Sequence, residues 1–318
     1  QRGRPDAARD PVRQTSPPLP RARELSKVLA NPTVADPSLL FDAAASNEAG
    51  ELVRSGPRNA APAPAATASQ AIRTAFERFE LKYWVTEPLA QRVLAFAMPY
   101  LTRDAHAITR DDQRNTTLYL DTRGYQFCEN HVLLSPDRSK LRIRAYGRPI
   151  GKLAFFEVKR KVKTITLKER FALPLAEVEN VLSRRPIGCD ISEEARRTLG
   201  DFVFQMCVHR AVPKVFVSCF REAFESRIAG EDVRLTVDRD LMYQPADGFG
   251  FSPVEGRYAP IHEGDDWRTS HGSRRAMLEL KFNGTPPRWM TELVRHFNLQ
   301  REAFSKYTTA VLQLRGRM

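Results

Sequence analysis

The sequence contains no apolar run close to the ~18 residues that a membrane-spanning helix needs, so a chain without a span is expected. Cysteine is scarce: there are four in 318 residues, Cys128, Cys189, Cys207 and Cys219, with no C-x-x-C pair among them. That pattern argues against a zinc ribbon and a disulfide framework. It predicts a reduced, cytoplasmic protein, with any membrane association made through a partner. No stretch reads as a signal peptide, no internal repeat is present, and no nucleic-acid-binding motif is found. The six histidines, His106, His131, His209, His262, His271 and His296, all fall outside the charged strands described below, which leaves them as surface or structural residues.

Acidic residues are also in short supply. Asp and Glu number 38 against 50 Lys and Arg, a net charge of +12. A basic balance implies an anionic partner: nucleic acid, an acidic membrane or a phosphate-rich molecule. Residues 1–70 hold ten of the 22 prolines and one aromatic, Phe41. They cannot bury enough apolar surface to offset their ordering entropy, so a disordered tail is expected, able to dock an unknown partner. The tail carries nine basic and seven acidic residues, which leaves +10 for residues 71–318, the expected folded domain.

From Phe76 the pattern changes to period two, and eight strands are predicted, at 76–85, 114–122, 140–147, 153–161, 163–172, 214–226, 233–243 and 275–283. Helices are predicted at 87–100, capped by Thr86 with Pro88 in the first turn, and at 175–184, 192–209 and 286–297. Residues 245–272, rich in Gly, Asp and His, read as a long loop.

The polar faces of these strands carry dense blocks of charge. Arg78, Glu80 and Lys82 share the face opposite Phe79, Leu81 and Tyr83, and Arg142 and Arg144 lie opposite Leu141 and Ile143. Glu157, Lys159 and Lys161 oppose Phe156 and Val158; Lys168 and Arg170 oppose Leu167 and Phe171; Glu279 and Lys281 oppose Leu278, Leu280 and Phe282. One charged strand face is ordinarily a solvated one. Together with Arg221, Asp238 and Lys306, however, these faces hold 11 cations against four carboxylates, and like charges alternating on strands repel. If eight antiparallel strands close into a barrel, alternate residues point into the lumen, which is then wet, cationic and shaped for a polyanion. Arginines grip phosphate oxygens bidentately, and lysines act as mobile point charges. The carboxylates either pair with neighbouring cations or hold a divalent metal, with Glu279 as the candidate ligand and Glu80 and Glu157 open to either role. A nucleic-acid-binding face is the competing reading, against which the alternation of charge along strands counts.

Six pieces in order carry a resemblance: Arg78-Phe79-Glu80-Leu81-Lys82-Tyr83-Trp84, Leu118-Tyr119-Leu120-Asp121-Thr122, Lys140-Leu141-Arg142-Ile143-Arg144, Phe156-Glu157-Val158-Lys159-Arg160-Lys161, Leu278-Glu279-Leu280-Lys281-Phe282 and Phe304-Ser305-Lys306-Tyr307. Over about residues 73–315 the chain resembles the VTC domain, the polyphosphate polymerase domain of the vacuolar transporter chaperone complex, which also occurs as stand-alone bacterial proteins. That family belongs to the triphosphate tunnel metalloenzymes, relatives of the CYTH phosphatases.

The resemblance implies an α+β fold, mainly antiparallel β, built as an eight-stranded tunnel with flanking helices. It implies metal-dependent transfer of the γ-phosphoryl of ATP to a growing polyphosphate chain with release of ADP. By the same resemblance Arg142, Arg144, Lys159, Lys168 and Arg221 are catalytic, and Lys82, Ser305 and Lys306 bind triphosphate or polyphosphate. Arg78, Lys161 and Lys281 join the binding residues on the same faces, and Glu279 holds Mn2+ or Mg2+. ATP and polyphosphate are the implied partners, with no nucleic acid.

Two positions depart from the family pattern: Cys219 stands where relatives often carry a tyrosine, and Ala303 where some carry a lysine. The first strand reads Arg-x-Glu-x-Lys rather than the Glu-x-Glu-x-Lys of the CYTH branch, which favours the polymerase branch. A tunnel triphosphatase, or a non-catalytic polyphosphate or inositol-phosphate binding module, are the alternatives; retention of Glu279 argues against the module. Because removing lumen cations relieves repulsion, Arg142→Ala and Lys159→Ala are expected to abolish turnover and leave the fold intact.

Overall fold

The computed structural model describes residues 78–104, 114–162, 165–261 and 275–316. The expected tail at 1–70, and His106, His262 and His271, lie outside them. All eight predicted strands form: β1 Arg78–Thr86, β3 Arg114–Asp121, β4 Arg138–Tyr146, β5 Leu153–Val162, β6 Ile165–Pro174, β7 Val212–Ser226, β8 Val233–Pro245 and β10 Arg275–Asn283. Two short strands add to them, β2 Leu101–Arg103 on β7 and β9 Ala259–Pro260 on β8. The order is β1-β10-β8-β7-β3-β4-β5-β6, with every pairing among the described residues antiparallel. The fold is thus α+β and mainly antiparallel β. The ends of the path, β1 and β6, do not pair among the described residues, so the tunnel wall is a curled open sheet rather than a closed ring of hydrogen bonds.

The predicted helices are α1 Glu87–Ala97, α3 Val178–Leu182 after a one-turn 3-10 segment at Leu175–Glu177, α4 Glu193–Val208 and α5 Arg288–His296. Two more were not predicted, α2 Gln126–Val132 and α6 Lys306–Arg315. Thr86 precedes α1 without donating or accepting a side-chain cap bond, whereas Ser192 caps α4 by accepting from Ala195 N at 3.2 Å. The described part of the predicted loop 245–272 holds a 3-10 turn at Glu255–Arg257 and β9.

Alternation sorts the sheet into two faces. The outer face is apolar and covered by helices in two groups. Leu81, Tyr83, Leu235, Val237, Leu278 and Leu280 pack under Val93 and Ala97 of α1 and Met290 and Leu293 of α5. Leu118, Leu141, Ile143, Phe156 and Val158 pack under Val181 of α3 and Phe202 and Met206 of α4. The inner face carries the charge. An apolar part of it on β3, β7 and β8 receives α6, whose Tyr307, Ala310, Val311 and Leu314 meet Tyr119, Val217, Cys219, Leu241 and Tyr243.

Asp121, fully buried, anchors that insertion. Its carboxylate accepts from the backbone N–H groups of Phe127 and Cys128 at 2.9 Å each, which starts α2, and from the Tyr307 hydroxyl on α6. Burial, reinforced by Asp121, pushes the Tyr307 hydroxyl far above its ordinary pKa, so it stays a donor. Tyr307→Phe removes the one side-chain donor to this carboxylate among the described residues and is expected to lower stability by about 2 kcal/mol, read as a shift in the chemical denaturation midpoint.

Candidate functional site

β4, β5 and β6 run in unbroken register, which fixes the rows of charge on their inner face. Arg142, Glu157 and Arg170 form one row, and Lys140, Lys159 and Lys168 form the next. Beyond it Arg138 stands opposite Lys161. Glu157 is buried and receives Arg142 Nε at 2.6 Å, with Arg170 Nε at 3.7 Å. Burial alone would raise its carboxyl, but Arg142, then Arg144 and Lys168, hold it down at about 2.

The lysine row has no such partner. Among the described residues no carboxylate pairs with Lys140, Lys159 or Lys168. Lys140 Nζ donates to Ser305 Oγ at 3.2 Å and lies 3.4 Å from His131 Nε2. Burial, then Lys82, Lys159 and Arg142, push the Lys140 ammonium well below its ordinary pKa. Burial, then Lys140, Arg138, Lys82 and Lys159, push His131 down to about 2. His131, expected as a surface or structural residue, thus stands beside the site cations.

The opposite wall is nearly balanced. Register sets Glu80 against Lys281 and Lys82 against Glu279, and each lysine also reaches along its own strand: Lys82 to Glu80 at 2.6 Å, Lys281 to Glu279 at 2.7 Å. Arg221 clamps the buried Asp238 with Nε at 2.6 Å and Nη2 at 2.7 Å and lies 3.6 Å from Glu279. Lys306 completes the cluster on Asp238. Against the burial that would raise them, Arg221 and Lys306 hold Asp238, and Lys82 holds Glu80, well below the usual carboxylate range. Four cations here face three carboxylates, whereas Arg142, Arg144, Lys140, Lys159, Lys168 and Arg170 face Glu157 alone. The positive excess thus lies on the β4–β6 wall.

The two walls meet through the segment before α6. Lys82 Nζ donates to the Phe304 carbonyl at 3.1 Å, and the next residue, Ser305, takes Lys140 from β4 and caps α6. This brings Lys82, Lys140, Lys159, Ser305 and Lys306 to one region. Arg144 donates to Thr117 Oγ1 at 3.1 Å on β3. Lys161 stands at the far end of β5, and Arg78 opens β1 opposite Asn283.

Lys140 was absent from the sequence-predicted set, although its strand parity with Arg142 signals it. His131 carried no signal, because α2 was not predicted. Cys219 is buried against α6, and burial pushes its thiol up to about 11.

For a divalent metal, Glu80 of β1 and Glu279 of β10 stand on one face in neighbouring register pairs. No group of three or more Asp, Glu, His or Cys suited to a metal exists among the described residues. Two carboxylates fit an ion of the magnesium type, which takes one or two protein carboxylates and fills its remaining positions with phosphate oxygens and water. Glu157, engaged by arginines, fits pairing instead.

A family model described as VTC domain matches residues 77–315. Among solved structures the chain is similar to a putative adenylate cyclase from Bacillus halodurans, at 15% identity and a TM-score of 0.39, over 73% of this chain and 96% of that one. A likeness that remote says nothing of function. No curated protein matches.

The ion-pair geometry separates two substitutions that the sequence treated alike. Arg142→Ala leaves buried Glu157 without its closest partner and is expected to lower stability by about 3 kcal/mol, while Lys159→Ala relieves the lysine row and leaves stability unchanged or raised, both read by chemical denaturation. Acid should also destabilise the protein from near pH 6.5. There the unfolded chain protonates His131 and the folded one does not, so stability falls with pH, and Glu157 adds to the loss below about 4.5. The melting temperature is expected to drop between pH 7 and 5, and to drop less in His131→Gln.

Proposed function

We propose a polyphosphate polymerase activity for this chain, which belongs to the VTC domain family: metal-dependent transfer of the γ-phosphoryl of ATP to a polyphosphate end, with release of ADP. The observation that carries this reading is the Lys140–Lys159–Lys168 row, three cations in register without a carboxylate partner among the described residues, beside the Arg142–Glu157–Arg170 row. Like charges directly opposite one another are destabilising, and a chain of phosphates laid along the rows would offset that repulsion. A wall that needs an anion along its length suits a polymer better than a single phosphate.

Phosphoryl transfer asks little covalent chemistry of a protein; positioning and charge neutralisation supply most of the acceleration. Arg142 and Arg144 would orient the triphosphate through forked hydrogen bonds, their guanidinium planes held by Glu157 and Thr117. Lys140, Lys159 and Lys168 would neutralise the oxygens on which charge builds, and Ser305 with Lys306 would hold a phosphate at the start of α6, where the helix dipole favours an anion. A polyphosphate end is already an oxyanion, so no side-chain nucleophile or strong base is required. Glu279 and Glu80 would hold a divalent ion, which would supply Lewis-acid stabilisation of phosphate charge there.

Incubation with ATP and Mn2+, followed by sizing of the product, tests this. Long acid-precipitable polyphosphate is expected; orthophosphate without polymer would instead identify a triphosphatase, and retention of added polyphosphate without turnover a binding module. Glu279→Gln is expected to lower polymer formation about 100-fold or more and to shift the Mn2+ concentration needed for half-maximal activity upward.

A further inference from the structure

Past the arginine row the inner face of the β4–β6 wall changes chemistry. The next row holds Arg144, Phe155 and Ala172, and beyond it stand Tyr146, Leu153 and Pro174. Tyr146 and Phe155 meet edge to face, with centroids 5.4 Å apart at 73°. Arg170 lies 4.0 Å over the Phe155 ring and donates to the Tyr146 hydroxyl at 3.2 Å. Both rings are half-buried and Leu153 is 51% exposed, so an aromatic ledge open to solvent ends a wall that is otherwise cationic.

The neighbouring strand adds a second observation. Asn115 of β3 stands in register with Tyr146, two residues from Thr117 and hence on the same face. It is 6% exposed, and its Oδ1 has no hydrogen-bond partner among the described residues. A buried acceptor left unmade is unfavourable, and nothing on the adjoining strands relieves it.

We propose that Phe155, Tyr146 and Asn115 form the subsite for the aromatic base of the nucleoside triphosphate donor, which stacks on the ledge and donates an exocyclic N–H to Asn115. The proposal rests on the polymerase reading and deepens it. Rows on one strand face are about 7 Å apart, so the ledge begins two rows, about 14 Å, from the lysines, an interval that a triphosphate and ribose can bridge. Seating the base there sets the γ-phosphate on the lysine row and leaves the Arg138 and Lys161 end for the growing chain.

The test is calorimetric titration of the full chain with two ligands, a non-hydrolysable imido analogue of ATP and inorganic tripolyphosphate. The readout is the ratio of their affinities. Phe155 also supports Arg170, but a disturbance of phosphate binding moves both ligands alike and cancels in that ratio. The unsubstituted protein is expected to favour the nucleotide. The ratio should fall about tenfold in Phe155→Ala, fall several-fold in Asn115→Ala, and be kept in Phe155→Tyr. Tripolyphosphate binding with no preference for the nucleotide, or with a ratio that neither alanine variant moves, overturns the subsite alone. Failure of the unsubstituted protein to bind tripolyphosphate overturns the polymerase reading and the subsite with it.

Discussion

The structure depends on holding like charges together on the concave side of a sheet. Lys140, Lys159 and Lys168 stand in register with no carboxylate partner among the described residues, and neighbouring rows add Arg138, Lys161, Arg142 and Arg170. Such a surface does not assemble on its own account. It is imposed by the opposite face of the same strands, where Leu141, Ile143, Phe156 and Val158 pack under α3 and α4. Each buried aliphatic or aromatic side chain contributes about 1.5–3 kcal/mol, and strand geometry obliges its neighbours to point the other way. Hydrophobic burial outside the tunnel thus drives charge crowding inside it.

The crowding is distributed unequally. On the β1–β10–β8–β7 wall, register sets cations against carboxylates, and Arg221, Lys306 and Asp238 close into a cluster with Asp238 fully buried. On the β4–β6 wall Glu157 stands alone among cations. One wall is nearly neutralised within itself, four cations against three carboxylates; the other is left to be neutralised by whatever enters.

The C-terminal helix joins these walls. Its insertion against Val217, Cys219 and Tyr243, tied by Tyr307 to the Asp121 carboxylate, carries Ser305 and Lys306 into the region where Lys82 and Lys140 meet.

Alternation in the sequence by itself determined the eight long strands and which side chains share a face, because a side-chain period of two is a local property of the backbone; the short β2 and β9 carry too few residues to show it. It therefore marked Arg142, Arg144, Lys159, Lys168, Glu279 and Lys281 as one class of residue. It did not reveal α2 or α6. The cap of α2 comes from Asp121, set back from the helix start, and α6 carries Thr308, Thr309 and Val311, which read equally well as strand. Only the tertiary structure decided which charges meet: that Arg142 clasps Glu157 while Lys159 faces two lysines, that His131 lies against Lys140, and that Asn115 sits beside Tyr146 with its acceptor unpaired. The physical reason is that partners across a sheet are set by register between strands far apart in sequence, and a shift of one residue would exchange every pair while leaving each strand's own pattern unchanged.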